Sequence, residues 1–348
     1  MQHAKDHQRW LIEQTNFALS CFFGAFTWLL LTGCSGQSNV APSAANANAP
    51  QPVTLMLNWY PEAEHGGFYA AQVHGIFEKY GLQVEIRPGG PNAPVAQELV
   101  SGRVQFAIGN ADDVLLFRNQ LVPVVALMAP IQNSPRCVLV RSDSGVSQLS
   151  ELNGMVLQAN VGRPFLDYLR SEGMLEGVHV VPYAGSVAKL VSDPRTAIQA
   201  YSFSEPFMAK EQGAQVRALM LSDVGFNPYA SCLIANEQFV ADNADLVARM
   251  VVACREGWQK YLAEPDETNA VILAANSQGM TEGALQFGVA ELKPLCLPAG
   301  LAEKNLGSMT AERWQTLTEQ FVKLGLIDSG KVVAAEVFTT EFIERDGN

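Results

Sequence analysis

From residue 53 the chain repeats one arrangement: a short apolar run, a turn, a helix-patterned segment, then another apolar run. Strand-length runs separated by helical stretches fold by lying parallel and returning through crossover helices, which commits the chain to an α/β architecture. The runs fall into two series. VTLMLNW (53–59), LQVEIRP (82–88), VQFAIGN (104–110) and VPVVALMA (122–129) form the first, and CVLVRS (137–142), MVLQAN (155–160), VHVVPY (178–183), AIQAYSF (197–203) and VRALML (216–221) form the second. Two similar α/β lobes are expected, the first from 53–135 plus 236–348 and the second from 136–235.

Two runs, RCVLVRS (136–142) and SCLIANE (231–237), stand where the chain passes between the lobes and are expected to act as hinge strands. Beyond Asn236 the pattern changes. ADLVARMVVACREGWQKYLAE places Leu246, Val247, Met250, Val251, Cys254, Trp258 and Tyr261 on one face of a long helix, with Asp242 or Asn243 as its N-cap. More helix is expected at 265–277, 281–290 and 311–323, the last capped by Thr310. Helices without strands of their own pack on an existing sheet, and these are expected to return to the first lobe.

With 348 residues, 48% of them hydrophobic, the chain can build real cores. Its formal net charge of −12 and 23 scattered Lys and Arg supply no basic face, which argues against a nucleic-acid partner. Lys5 and Arg9 precede the apolar run Phe17–Leu31, which is short for a membrane span and ends in Leu31-Thr32-Gly33-Cys34. This resembles a bacterial lipoprotein signal, which implies cleavage after residue 33, lipid on Cys34 and an envelope location, although Asp6 and Glu13 offset the two basic residues. Residues 34–52 are small, polar and Pro-rich with nothing to bury, and are expected to be a flexible tether to the membrane.

Beyond Cys21 and Cys34, four cysteines remain: Cys137, Cys232, Cys254 and Cys296. They show no CxxC spacing and no adjacent histidine, so no metal site is expected, and four buried or unpaired thiols are the reading. If the two hinge strands ran antiparallel side by side, Cys137 and Cys232 would lie toward opposite ends of the pair, too far apart for a disulfide.

In such a two-lobed arrangement ligands bind where strand C-termini and helix N-termini of the lobes face one another. LNWYPEAEHGGFYAAQ, starting at Leu57, follows the first strand and falls at that cleft. Asn58 donates and accepts in one plane and Trp59 and Tyr60 offer flat faces, a set suited to a planar ring bearing heteroatoms; alternatively Trp59 is core and Asn58 a turn former. His65 is either a hydrogen-bonding ligand contact or a residue that fixes the loop. No nucleophile, second histidine or metal set accompanies it. Gly66 and Gly67 fit a helix start whose free N–H groups favour acceptor or anionic atoms. At a second strand end Asn110, Asp112 and Asp113 open a helix, where capping competes with binding. In the second lobe Arg163 is the one obvious cation, cleft or surface, and Tyr201 and Glu205 lie past another strand end, where a carboxylate accepts hydrogen bonds from an amine or ring amino group.

The blocks LNWYPEAEHGGFYAAQVHGIFEKYGLQVEI, GRVQFAIGNADDVLLFRNQLVPVVAL, YSFSEPF and LIANEQFVADNADLVARMVVACREGWQKYL resemble, in order, the NMT1/THI5-like (SsuA/THI5) group of substrate-binding proteins. The resemblance covers about residues 53–265. It implies a type II periplasmic-binding-protein fold, two α/β lobes clamping a small molecule, and delivery of that molecule to an ABC permease and its ATPase. Members of this group serve pyrimidine precursors of thiamine, riboflavin, sulfonates, nitrate and taurine. The N-W-x-P…H-G start is most similar to the pyrimidine and flavin branch, which makes Trp59 and Tyr69 stacking candidates, Asn58, His65 and Asn110 polar contacts, and Glu205 the acceptor in the opposite lobe; Asp113, Arg163 and Tyr201 are added as ligand candidates from their strand-end positions alone. The same group holds pyrimidine synthases that carry pyridoxal phosphate on a lysine. Asn110 and Val114 stand where their lysine and histidine would fall and no cysteine cluster follows, so a non-enzymatic monomer without cofactor or metal is the expectation.

Overall fold

The computed structural model describes residues 49–344; the signal-like run, Cys34 and most of the expected tether lie outside the described residues. The first sheet is built by β1 (Gln51–Met56), β2 (Leu82–Arg87), β3 (Phe106–Gly109) and β4 (Val124–Met128). Between these strands run α1 (Gly66–Val73), α2 (Ile76–Lys79), α3 (Val95–Val100) and α4 (Ala111–Asn119). The chain then crosses to β5 (Arg136–Arg141), β6 (Val156–Ala159), α5 (Pro164–Ser171), β7 (His179–Pro182), α6 (Ala188–Ser192), β8 (Thr196–Tyr201), α7 (Glu205–Glu211) and β9 (Val216–Met220). It returns through β10 (Cys232–Asn236) into α8 (Glu237–Asp242), α9 (Ala244–Ala263), α10 (Asp266–Ala275), α11 (Glu282–Cys296), α12 (Ala311–Lys323) and α13 (Glu341–Glu344).

Each sheet has five strands, in the orders β2-β1-β3-β10-β4 and β7-β6-β8-β5-β9. The two orders are the same pattern. In each, four strands run in one direction and the fourth position is held by a strand arriving from the other half of the molecule, antiparallel to both neighbours. β5 and β10 therefore do not pair with each other: each is central to a separate sheet. The segments that run side by side lie just before them, where Ala230 N–H donates to Ile131 O at 3.1 Å in an isolated antiparallel bridge. Cys137 and Cys232 sit in different sheets, and all four described cysteines are buried and free.

β1 begins at Gln51, so the last two residues read as tether already belong to the sheet, opposite Leu82 and Gln83. Pro52 is tolerated because β3 pairs with β1 only at Leu55 and Met56, leaving no ladder bond at position 52 for its missing N–H to break. The long helix α9 buries Leu246, Val247, Met250, Val251, Cys254, Trp258 and Tyr261, the face its spacing marks, against α1 and the first sheet. Asn243 precedes it without capping it; its side-chain amide donates to Phe239 O at 2.9 Å instead. Thr310 does cap α12, its hydroxyl accepting from Arg313 N–H.

Gly66 and Gly67 have a different task from the one their position in sequence suggests. A Cβ on Gly67 would lie 2.0 Å from Trp258 Cγ, and one on Gly66 1.9 Å from Tyr261 Cε1. They let α1 and α9 approach within a side chain's thickness, and they present no free helix start to a ligand. No described helix is long and apolar enough to cross a membrane.

Candidate functional site

The C-terminal ends of β1, β3, β6 and β8 and the N-terminal ends of the antiparallel β5 and β10 meet at one edge, and the candidate residues gather there. After β1 the chain turns through Asn58–Pro61 into a single 3-10 turn, Ala63–His65. This short turn aims Glu62 and Glu64 inward and fixes them. Trp59 Nε1 donates to Glu62 Oε1 at 3.1 Å, and the Trp59 and Tyr60 rings stand edge to face with centroids 5.3 Å apart. Trp59 is half-buried, with a face still accessible.

His65 is fully buried, and its Nε2 meets Asn58 Oδ1 at 3.1 Å. Burial drives its pKa down to about 3, so the ring is neutral at any ordinary pH. Asn58 and His65 thus hold the loop to each other. Tyr69 lies in the core beside Phe68, 4% exposed, its hydroxyl pushed up to about 12 by burial.

At the end of β3, Asn110 Oδ1 accepts the Ser231 N–H at 3.1 Å and Asn110 N–H donates to Asp113 Oδ2 at 3.1 Å. Asp113 therefore supplies the returning half of a capping interaction at the start of α4. Ser231 holds a left-handed backbone, φ 50°, at a cost of about 1–2 kcal/mol for a non-glycine residue. That conformation points its hydroxyl at Glu64 O, 3.1 Å away, tying the entry to β10 to the opening loop.

The second lobe contributes a residue that the strand-end rule overlooked. Arg136 opens β5, is 7% exposed, and donates through Nη2 to Tyr201 Oη at 3.0 Å. Its guanidinium carbon lies 5.1 Å from the Tyr201 ring and 5.4 Å from the Phe165 ring. Burial works to discharge it, but Tyr201, Asp112, Asp113 and Glu64 outweigh burial and hold its charge. Arg163, just before α5, reaches Asp113 Oδ1 at 3.8 Å across the cleft. Glu205, first residue of α7, accepts the Tyr201 N–H at 2.8 Å and is bonded by the Tyr183 hydroxyl.

The acids outnumber the cations, and their titration shows it. Burial raises Glu64 to about 7, the nearby Arg136 charge pulling it down and Glu205 pushing it up. Glu62 is raised well above the carboxylate range by burial and by Glu64 and Glu205. Burial and then Asp112 lift Asp113 to about 6, and Glu205 is raised by burial against the Tyr201 backbone bond. Asp112 is 2% exposed and one of its oxygens has no hydrogen-bond partner. Such a site presents several carboxyl acceptors, framed by Trp59, Tyr60, Phe165, Tyr183 and Tyr201, while both nearby guanidinium groups are engaged.

Of the residues singled out in the sequence, Asp113, Arg163, Tyr201 and Glu205 come together around Arg136, with Trp59 on the facing wall; Asn58, His65 and Asn110 support the loops, and Tyr69 is core. Glu62, Glu64, Arg136 and Tyr183 went unread. For Arg136 the signal was present: a charged residue placed directly before CVLV, the most buried strand of its sheet.

Over residues 62–268, more than half of the chain, the sequence matches the NMT1/THI5-like family. The chain belongs to that family. It is 28% identical over 345 residues to the riboflavin-binding protein RibY of Chloroflexus aurantiacus, covering 92% of this chain and 96% of that one. It is 27% identical over 254 residues to the formylaminopyrimidine-binding protein of Halalkalibacterium halodurans, covering 70% and 75%. The periplasmic aliphatic sulphonate binding protein SsuA of Escherichia coli superposes with a TM-score of 0.62 at 14% identity, over 84% of this chain and 93% of that one. The fold is that of the periplasmic binding proteins, and the paired sheet orders are its two lobes. Each of these three relatives bears the name of a binding protein rather than an enzyme.

Proposed function

We propose that this NMT1/THI5-like protein is the extracytoplasmic substrate-binding component of an ABC importer, held to the membrane by lipid on Cys34. Its ligand is a neutral or weakly basic heteroaromatic ring carrying N–H donors, of the flavin or aminopyrimidine class. The observation that carries the ligand class is the set of raised carboxyls, Glu62 and Glu64 on one wall and Glu205 on the other, within an aromatic frame. Ring N–H groups donate to carboxyl oxygens, ionised or not, whereas a sulfonate or phosphate would face a majority of acids with Arg136 already bonded to Tyr201. Riboflavin is the first ligand to test, since the relative that spans 92% of the chain is named for it. Formylaminopyrimidine is the second.

Ligand bridging both walls would favour the closed arrangement by contacts made in that state alone. No lysine and histidine stand where the related synthases would hold pyridoxal phosphate, which supports binding over catalysis. The test is a thermal shift against riboflavin, an aminopyrimidine and an alkanesulfonate. Riboflavin or the pyrimidine is expected to stabilise, by about 2.7 kcal/mol at a hundredfold excess over Kd, and the sulfonate not at all. Stabilisation by the sulfonate alone, or by none of the three, would overturn the reading. In the responding case, Trp59→Ala is expected to weaken affinity at least tenfold by calorimetry while leaving the fold intact.

A further inference from the structure

The two segments that join the lobes, 129–135 and 221–231, are gripped by the stretch from Leu295 to Arg313, which supplies none of the ligand-wall residues. One nitrogen of Arg313, Nη2, donates to Gln132 O at 2.6 Å in the first segment and to Asn227 O at 2.8 Å in the second. The guanidinium lies flat over Tyr229, 3.7 Å from the ring centroid, and pairs with no carboxylate among the described residues. A charged group whose polar bonds to the two crossings all end on backbone carbonyls is acting on the path of the chain.

The surrounding bonds have the same target. Tyr229 Oη accepts the Thr310 N–H at 3.0 Å, so the ring under Arg313 is fixed to the start of α12. Gln132 Nε2 donates to Ala129 O and to Ser308 O, and Ala129 N–H donates to Gly307 O at 2.8 Å. Leu295 O, at the end of α11, accepts from both Gln132 and Asn133. Between the segments, Asn227 Oδ1 accepts the Ser134 N–H and its amide donates to Asn133 Oδ1. The region from Leu295 to Arg313 is thus a bracket around both crossings, and Arg313 is the one side chain in it that bonds to both.

We infer that Arg313 is a positioning residue of the hinge: it locks the two crossing segments into a single unit, so that the lobes turn together about one axis and resist independent bending. The inference rests on the reading of the molecule as a closing clamp, but it requires no particular ligand. Loss of the guanidinium would leave two part-buried carbonyls short of a donor and let each segment open locally.

The test is hydrogen exchange by mass spectrometry on the unliganded full chain, comparing the native protein with Arg313→Met, which keeps a packing stem over Tyr229, and with Arg313→Lys. In the Met variant, amides of 129–135 and 221–231 are expected to exchange at least tenfold faster, with β1, β3, β6 and β8 unchanged; Lys recovers part of the protection. Unchanged exchange in the two segments would overturn the inference. So would an equal rise across the sheets, which would mark Arg313 as a contributor to general stability alone. Because no ligand enters the measurement, its failure is distinct from failure of the thermal-shift test.

Discussion

The two lobes share a strand order yet are built to different depths. The first sheet is covered by α1, α9 and the helices that follow, which bury Phe68, Trp258, Tyr261 and Leu292 completely, and its β3 and β4 have no exposed residue. The second sheet has one face closed by a small cluster, Cys137, Leu139, Val187, Leu190, Ile198, Ala200 and Ala209, and its outer strands β7 and β9 remain half-exposed. The chemistry divides along the same line. The first lobe presents Glu62, Glu64, Asp112 and Asp113, while the second supplies both arginines, Arg136 and Arg163, with Glu205 as its single acid among the site residues. The heavy lobe is an acidic frame and the light lobe, the jaw, carries both arginines, so the two facing walls differ in the kind of charge they hold.

The largest break in that comparison comes from removing the jaw's buried charge. Arg136→Ala leaves the buried Glu64 and Asp112 without a nearby cation and Asp113 with only the outer Arg163, and about 3–5 kcal/mol of stability is expected to be lost at pH 7. Urea unfolding measures it, and the loss is expected to shrink at pH 5, where Glu64 and Asp113 take up protons. An equal loss at both pH values would show that packing on Phe165 and Tyr201, and not charge, is what the residue contributes.

Next in size is a pair that compares the depth of the lobes. Gly67→Ala forces a methyl into Trp258 at the α1–α9 contact and is expected to cost about 3 kcal/mol, since both backbones must move apart. Gly162→Ala, on the second lobe's loop with φ 80° and open space around it, pays only for its left-handed backbone, about 1 kcal/mol. A smaller loss at Gly67 than at Gly162 would contradict the view of the first lobe as the rigid frame.

The same contrast explains what the sequence could and could not disclose. The ten strands were legible because their apolar runs are long enough to be buried and are separated by turn residues, and α9 because seven apolar positions recur on one face. The site was half legible. A rule that looks at the C-termini of parallel strands points to Trp59, Asp113, Tyr201 and Glu205, which follow β1, β3 and β8, each parallel to a neighbour in its own sheet. It fails at β5 and β10, whose antiparallel course brings their first residues to the cleft, and so misses Arg136 and Ser231. His65 and Tyr69 have polar groups suited to binding, but burial is a property of the helices packed over them. Only the fold reveals that Gly66 and Gly67 admit α9 there.

A third prediction concerns the frame's acids. A carboxyl whose pKa is higher folded than unfolded stabilises fully below its unfolded value, 4.5 for Glu64, and that stability is lost as pH rises through its folded value of about 7. Asp113 adds the same trend up to about 6, and Glu62 and Glu205 act in the same direction. The thermal midpoint of the unliganded protein is therefore expected to fall by a few degrees between pH 5 and pH 8. Glu64→Gln flattens part of that slope; an unchanged slope would place its source elsewhere. His65 contributes nothing over this range, because it stays neutral.

The smallest effect tests whether the jaw's outer charge matters at all. Arg163 is 39% exposed and 3.8 Å from Asp113, a separation that salt and water screen well, so Arg163→Ala is expected to cost less than about 1 kcal/mol. Its position gives it a second signature, however. It is the one guanidinium that meets Asp113 from across the cleft and near solvent, so its removal takes charge from the moving lobe without opening the core. The expected outcome is that small loss in urea, together with association of a weakly basic ligand that becomes more dependent on salt concentration, because one repelling charge is gone and the acids remain. A stability loss as large as that of Arg136→Ala would instead mean that the two arginines form one buried network, and the division into a shielded inner charge and a screened outer one would have to be given up.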